Sequence, residues 1–358
     1  MSDSSNRTAY LAWLSVCLVW GTTYLAIRIA LETIPPALVG GLRYLAAGIA
    51  LALILRARGE RLPGIAHWNG LALLGFLMIA LGNGGVIWAE QWVPSGIAAV
   101  VVAASPFWMT GLEAALGGER LTPQGVFGLV LGFMGILLLV WPELTAGGEL
   151  GRQFAIGVIA LQVACIGWAL GSAYSRRHAR EENALGAAAV QMMFGGLFMA
   201  VAATVRGEWS VVTFTWRTAA AELYLIVFGS LVGYSAYVYA LKHLPVSTVS
   251  LYAYINPVIA VVLGTLMLGE PFGWRVVIAS AIVFAGVAVV RFGGRAGTAA
   301  RGLAVAAPTT PHSTNPRTDE ARDARRLARQ TTLRPLINRT RNSTTATTSN
   351  TQMKLPRV

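Results

Sequence analysis

Ten apolar stretches, each close to the length a helix needs to cross a lipid bilayer, occupy most of the first 292 residues. They fall at 9–31, 37–55, 68–90, 95–116, 123–141, 154–175, 184–205, 219–241, 246–268 and 272–292. A hydrocarbon core of about 30 Å requires roughly 20 residues in helical form. Backbone groups in that layer must be paired within the segment, and helices do this. Breakers stand between stretches: Pro35-Pro36, Pro63-Gly64, Pro94-Ser95, Gly117-Gly118 and Pro245. Composition agrees, since 55% of residues are hydrophobic and 12% charged, against about 25% charged in a soluble domain. The expected fold class is an all-α membrane protein with ten transmembrane helices.

The net charge of +12 suggests nucleic acid until its position is read. Residues 293–358 hold 12 Lys+Arg and 3 Asp+Glu, so most of the excess lies there. That segment is rich in Thr, Arg, Asn and Pro and reads as a disordered basic tail. No nucleic-acid partner is expected. Aspartate occurs only at Asp3, Asp319 and Asp323. Cys17 and Cys165 both lie in apolar runs, and a disulfide framework is not indicated. The run from Ala9 to Ile29 is read as a retained helix, not a cleaved leader.

Orientation follows from the positive-inside rule. With the amino terminus in the cytoplasm, inner segments before the tail carry nine basic residues and outer loops four. The tail also falls inside. Both termini are therefore expected to be cytoplasmic, which requires an even number of spans.

The chain also resembles itself. A shift of 151 carries Gly82 to Gly233, Trp88 to Tyr239, Pro94 to Pro245, Pro106 to Pro257, Glu119 to Glu270 and Gly135 to Gly286. Earlier in the unit the shift is 148, carrying Cys17 to Cys165, Trp20 to Trp168 and Arg28 to Arg176. The reading is two five-helix units, 9–141 and 154–292. Five crossings are odd in number, so the second unit is inverted relative to the first. Inverted repeats around a midplane site are a recurrent transporter architecture.

These repeats resemble two EamA domains of the drug/metabolite transporter superfamily. The residues that carry the likeness are Leu18-Val19-Trp20-Gly21-Thr22-Thr23-Tyr24, Gly41-Leu42-Arg43-Tyr44, Pro106-Phe107 and Leu116-Gly117-Gly118-Glu119 in the first unit. The second unit offers Gly167-Trp168-Ala169, Tyr254-Ile255-Asn256-Pro257-Val258 and Leu268-Gly269-Glu270. The resemblance spans residues 9 to 292. It implies ten helices around a central cavity, with the fifth and tenth outside it. It also implies export or exchange of amino acids or other small metabolites, in a bacterial inner membrane. The long basic tail departs from the family pattern.

Several side chains are candidates for a substrate site. Trp20 and Trp168 lie deep in their spans, where a ring can form a stacking or cation-attracting wall or simply fill space. Tyr24 closes the first motif and joins them. Tyr234 and Tyr237 are three apart and share a helix face; Tyr252 and Tyr254 are weaker candidates. Asn83, Gln191 and Asn256 are polar residues within spans, able to bind a ligand or another helix. Arg43, about seven residues into the second span, could meet a carboxylate substrate or pair with Glu32 or Glu90. Arg28 and Glu32 are four apart and could pair with each other. Pro106 and Pro257 each remove a backbone donor and are expected to act as hinges.

No acid is read at mid-span, which weighs against proton coupling. Gly125, Gly128, Gly132 and Gly135 form one stripe, and Gly167/Gly171 and Gly229/Gly233 repeat the four-residue spacing. Such stripes allow close helix packing, internally or between the protomers of a homodimer. No nucleoside-triphosphate loop is present, no cofactor or metal is indicated, and no His pair has ligand spacing. The expected function is secondary transport of a small metabolite, with an intramembrane enzyme or a channel as the alternatives.

Overall fold

The computed structural model describes residues 3–115, 122–178, 183–244, 246–249 and 251–306. Among them every regular element is helical and there is no strand. Eight helices have the length and apolar composition to cross a membrane: Arg7–Ala30, Pro36–Ala57, Ile65–Ala89, Ser95–Ala115, Pro123–Thr145, Gly148–Ser175, Ala184–Val205 and Trp216–Ala240. Two shorter apolar helices follow, Tyr252–Leu268 and Trp274–Val290. One compact unit comprises Met1–Thr298. Glu119, Pro245, Arg180 and residues 307–358 lie outside the described residues.

In chain order the elements are α1 (Asp3–Ala30), α2 (Pro36–Ala57), α3 (Trp68–Leu74), a π-helical segment Gly75–Asn83, α4 (Gly84–Ala89), α5 (Ser95–Val102), α6 (Ser105–Ala115), α7 (Pro123–Thr145) and α8 (Gly148–His178). Then come α9 (Ala184–Val205), α10 (Trp216–Tyr224), a second π segment Leu225–Val232, α11 (Gly233–His243), α12 (Val246–Val249), α13 (Tyr252–Leu268) and α14 (Trp274–Ala306). The last helix thus continues past residue 292.

Local chemistry explains many boundaries. α2 opens on Pro36, where no backbone donor is needed. Asn183 caps α9 by accepting from the amides of Leu185 and Gly186. Thr215 and Thr218 form a reciprocal cap at the start of α10. The fourth apolar stretch is broken between α5 and α6, at Ala103-Ala104, just ahead of Pro106. α13, by contrast, runs through Pro257 without interruption.

Two apolar cores hold the helices together. One gathers Ile34, Leu38, Leu55, Ile79, Met192 and Leu225; the other gathers Val93, Val101, Phe107, Leu139, Leu161 and Val283. Large apolar side chains also face outward, among them Phe127, Val130, Trp141, Leu266 and Met267. A lipid phase accepts them where water would not. The α7 glycine stripe is filled from inside the chain. A Cβ at Gly128 would lie 2.8 Å from the Gly286 carbonyl, and one at Gly135 2.9 Å from Val283 of α14.

Candidate functional site

Trp20 is the centre of an aromatic cluster. Its ring centroid lies 5.1 Å from Tyr237, 5.1 Å from Tyr252 in an edge-on contact, and 6.4 Å from Tyr234. Tyr237 also meets Tyr234 at 6.2 Å and Tyr252 at 5.8 Å. These separations fall in the range where tilted and edge-to-face rings attract. The cluster joins α1, α11 and α13. All four rings are sequence candidates, and Tyr252, a weaker one there, meets both Trp20 and Tyr237.

The cluster is anchored on the second π segment. Trp20 Nε1 donates to the Gly229 carbonyl at 3.1 Å. Beside it, Arg43 Nε donates to Ser230 Oγ at 2.8 Å. Arg43 is 4% exposed and its guanidinium lies 4.8 Å from the Tyr44 ring centre. Two glycines make room for these side chains. A Cβ at Gly229 would be 3.0 Å from Arg43 Nη2, and one at Gly233 would be 2.6 Å from Trp20 Nε1. The four-residue glycine spacing here therefore accommodates the side chains of Arg43 and Trp20.

Other candidates lie apart from this centre. Tyr24 packs against the second apolar core and faces Glu90 and Cys165. Asn83 donates to the Met78 carbonyl of its own π segment at 3.1 Å. Trp168 stands against Gly82, whose added Cβ would be 3.5 Å away. Asn256 is buried, and its amide nitrogen, oriented by its surroundings, donates to Tyr252 O (3.1 Å) and Cys17 O (3.0 Å). It clasps α13 to α1. Trp168 thus does not enter the ring cluster built on Trp20.

The charged residues differ from the local reading. Arg28 does not pair with Glu32. Its Nη1 donates to the Glu90 and Gln91 carbonyls, which lie past the end of α4. Glu32 instead pairs with Arg217 at 3.1 Å. Arg43 takes a hydroxyl, not a carboxylate, as its hydrogen-bond acceptor.

Three acids are buried that the sequence reading did not single out as such: Glu90, Glu208 and Glu222. Glu208 accepts from the Leu38 amide at 3.0 Å. Glu90 and Glu222 both lie within electrostatic reach of Arg43, yet neither carboxyl has a hydrogen-bond partner. One signal was available for Glu222. It lies inside an apolar stretch, three residues from the boundary read in sequence, but α10 begins at Trp216 and draws it into the bundle.

A depression of about 480 Å³ opens at one end of the bundle, lined among others by Glu32, Pro35, Gln91 and Thr213. No cluster of metal-ligating side chains occurs among the described residues.

A bundle of apolar helices with a buried arginine and a ring cluster at its centre defines a multi-pass membrane protein. Its sequence matches the EamA-like transporter family over residues 7–141 and 155–292, and the chain belongs to that family. It is 35% identical to "Uncharacterized inner membrane transporter YedA" of Escherichia coli (strain K12), over 79% of this chain and 90% of that protein. It is 25% identical to a "Probable amino-acid metabolite efflux pump" of Salmonella typhimurium (strain LT2), over 83% of this chain and 99% of that one. A solved crystal structure with 22% identity shares the fold at a TM-score of 0.57, covering 81% of this chain and 98% of its own. The general role is therefore transport in a membrane.

Proposed function

We propose that the chain is a secondary transporter that moves a small metabolite, an amino acid or a related compound, out of the cell by alternating access. Ten spans are arranged as two inverted five-helix halves, 9–141 and 154–292, with both termini in the cytoplasm. The substrate site is centred on Trp20, Arg43, Tyr234 and Tyr237. Arg43 provides a cation for a carboxylate and the rings provide a wall for an ammonium or an apolar side chain. Tyr24, Asn83, Trp168 and Asn256 complete the substrate path. Pro106 and Pro257 are the hinges.

The single observation that carries this reading is the buried Arg43 beside a four-ring cluster, deep among lipid-spanning helices, where charge is costly and is kept for function. The two π segments lend further support. They begin 150 residues apart, at Gly75 and Leu225, close to the repeat shift, and such segments concentrate at functional sites. The named amino-acid metabolite efflux relative supports the substrate class.

Counterflow in proteoliposomes tests the reading. Preloaded unlabelled amino acid should drive saturable uptake of the labelled compound, and Arg43→Met should abolish it. Unsaturable flux would point to a channel, and a chemically altered product to an enzyme. Accessibility labelling that places Arg176 and the tail on opposite sides of the membrane would overturn the inverted repeat.

A further inference from the structure

Glu90 is a fully buried acid to which the transport reading gives no role. It is 0% exposed, and neither carboxyl oxygen has a hydrogen-bond partner. Charged and titratable groups on three other elements lie close enough to act on it electrostatically: Tyr24 and Arg28 on α1, Arg43 on α2, and Glu270 in the turn after α13. Arg28 spends Nη1 on the carbonyls of Glu90 and Gln91, and Arg43 spends Nε on Ser230. An ionised carboxylate without a donor is costly in such an interior, and a proton removes that cost.

Glu270 has a different task. Its Oε1 accepts from the Ser95 amide at 2.7 Å and its Oε2 from the Gly96 amide at 3.0 Å. The carboxylate thus caps the first turn of α5, where a negative charge is favoured. It ties the segment after α13 to a helix some 170 residues earlier in the chain. The fit is close. A Cβ at Gly264 would run into the Glu270 carboxylate and lie 2.8 Å from Ser95 Oγ. Glu90 precedes Ser95 by five residues, on the turn that leads into α5. Its chain neighbour Gln91 lines the depression at this end of the bundle, while the Glu90 side chain itself is fully enclosed.

We propose that Glu90 is a proton-binding site that controls the Glu270 clasp. With a proton on Glu90, Glu270 stays on the α5 amides and this end of the bundle is shut. When the proton leaves, Glu90 carries a negative charge that acts electrostatically on Glu270. Repulsion drives Glu270 off the amides, and this end opens. The inference rests on the transport reading, in which opening and shutting carries the substrate. It adds that a proton sets the gate, which reverses the expectation drawn from the absence of an acid at mid-span.

The test needs no substrate. In a background with Cys17→Ala and Cys165→Ala, Ser95→Cys places a thiol beneath the clasp. Its reaction with a water-soluble maleimide in proteoliposomes is normalised to an exposed Val211→Cys control. At alkaline pH the parent should react several-fold faster than its Glu90→Gln derivative, and at acidic pH the two rates should converge. Glu270→Gln should react fast at either pH. Equal rates for the parent and Glu90→Gln at every pH, or faster reaction of Glu90→Gln, would overturn the proposal. Glutamine has the shape of a protonated glutamate, so Glu90→Gln should fold normally. Loss of the pH effect with saturable counterflow intact would remove the gate and spare the transporter. A pH-dependent clasp in a protein that shows no exchange would do the reverse.

Discussion

Trp20 and Arg43 belong to different helices, yet their polar ends meet consecutive residues of one π-helical turn, Gly229 and Ser230. The ring cluster and the buried cation are thereby fixed against the same short stretch of backbone. A movement of that stretch would move both.

Adding one methyl group to this turn should disturb both partners. Gly233→Ala would press on Trp20 Nε1 and the Phe228 carbonyl, and Gly229→Ala on Arg43 and Thr23. Overpacking of this kind costs about 1–3 kcal/mol. The closer approach is at Gly233, so Gly233→Ala should lower the melting temperature of the purified protein more than Gly229→Ala does. Equal, unshifted melting curves for the two variants would contradict the described packing.

Ser230 offers a cleaner separation of binding from folding. Ser230→Ala removes the acceptor of a buried guanidinium, and an unmet group of this kind costs about 1–3 kcal/mol. Ser230→Thr keeps the hydroxyl and should recover most of the loss. The expected outcome is a lower melting temperature for the alanine variant only, with exchange activity following the same order. Identical melting of both variants would show that Arg43 does not depend on this bond.

Much of this was legible in the sequence, for identifiable reasons. Helix positions follow from apolar run length, which the bilayer imposes directly. Trp20, Tyr234 and Tyr237 stand out because aromatic residues so deep in a span are unusual. The partners of Arg43 and Arg28 were not legible. A π segment has the composition of the α-helix around it, so the run Leu225–Val232 gives no sign that Gly229 and Ser230 will be turned towards α1 and α2. Arg28 and Glu32 have the spacing of a helical ion pair, but tertiary contacts prevailed. The carbonyls beyond α4 attract Arg28, and Arg217 approaches Glu32 from a distant segment. Glu90 stands at the edge of its apolar run, where a side chain ordinarily reaches water; only the fold shows that Arg28 and the turn into α5 close over it.

The two repeat-related tryptophans should behave differently. Trp20→Ala would remove the ring at the centre of the cluster and leave the Gly229 carbonyl without its donor. Trp168→Ala would empty a contact with Gly82 far from those rings. Trp20→Ala is therefore expected to raise the KM for exchange strongly, whereas Trp168→Ala, at a half-buried ring away from the cluster, should raise it less and lower the melting temperature as well. Matching KM changes in both variants would place Trp168 in the substrate path on equal terms with Trp20.

The α7 glycines bear on oligomeric state. Their stripe reads in sequence as an internal or an intermolecular packing surface, and α14 occupies it within one chain. A Cβ at Gly286 would lie 2.6 Å from the Gly132 amide, and one at Gly132 would enter the Phe107 ring. Gly132→Ala and Gly286→Ala should each destabilise the monomer by about 1–3 kcal/mol through overpacking. Because a methyl at Gly286 would press on the backbone of Gly132 itself, the losses in the double variant should not simply add. Light scattering of the detergent-solubilised protein should give the same oligomeric mass for all four forms. A change of mass without a change of melting temperature would mean that the stripe packs against a second copy instead, with α14 displaced from it.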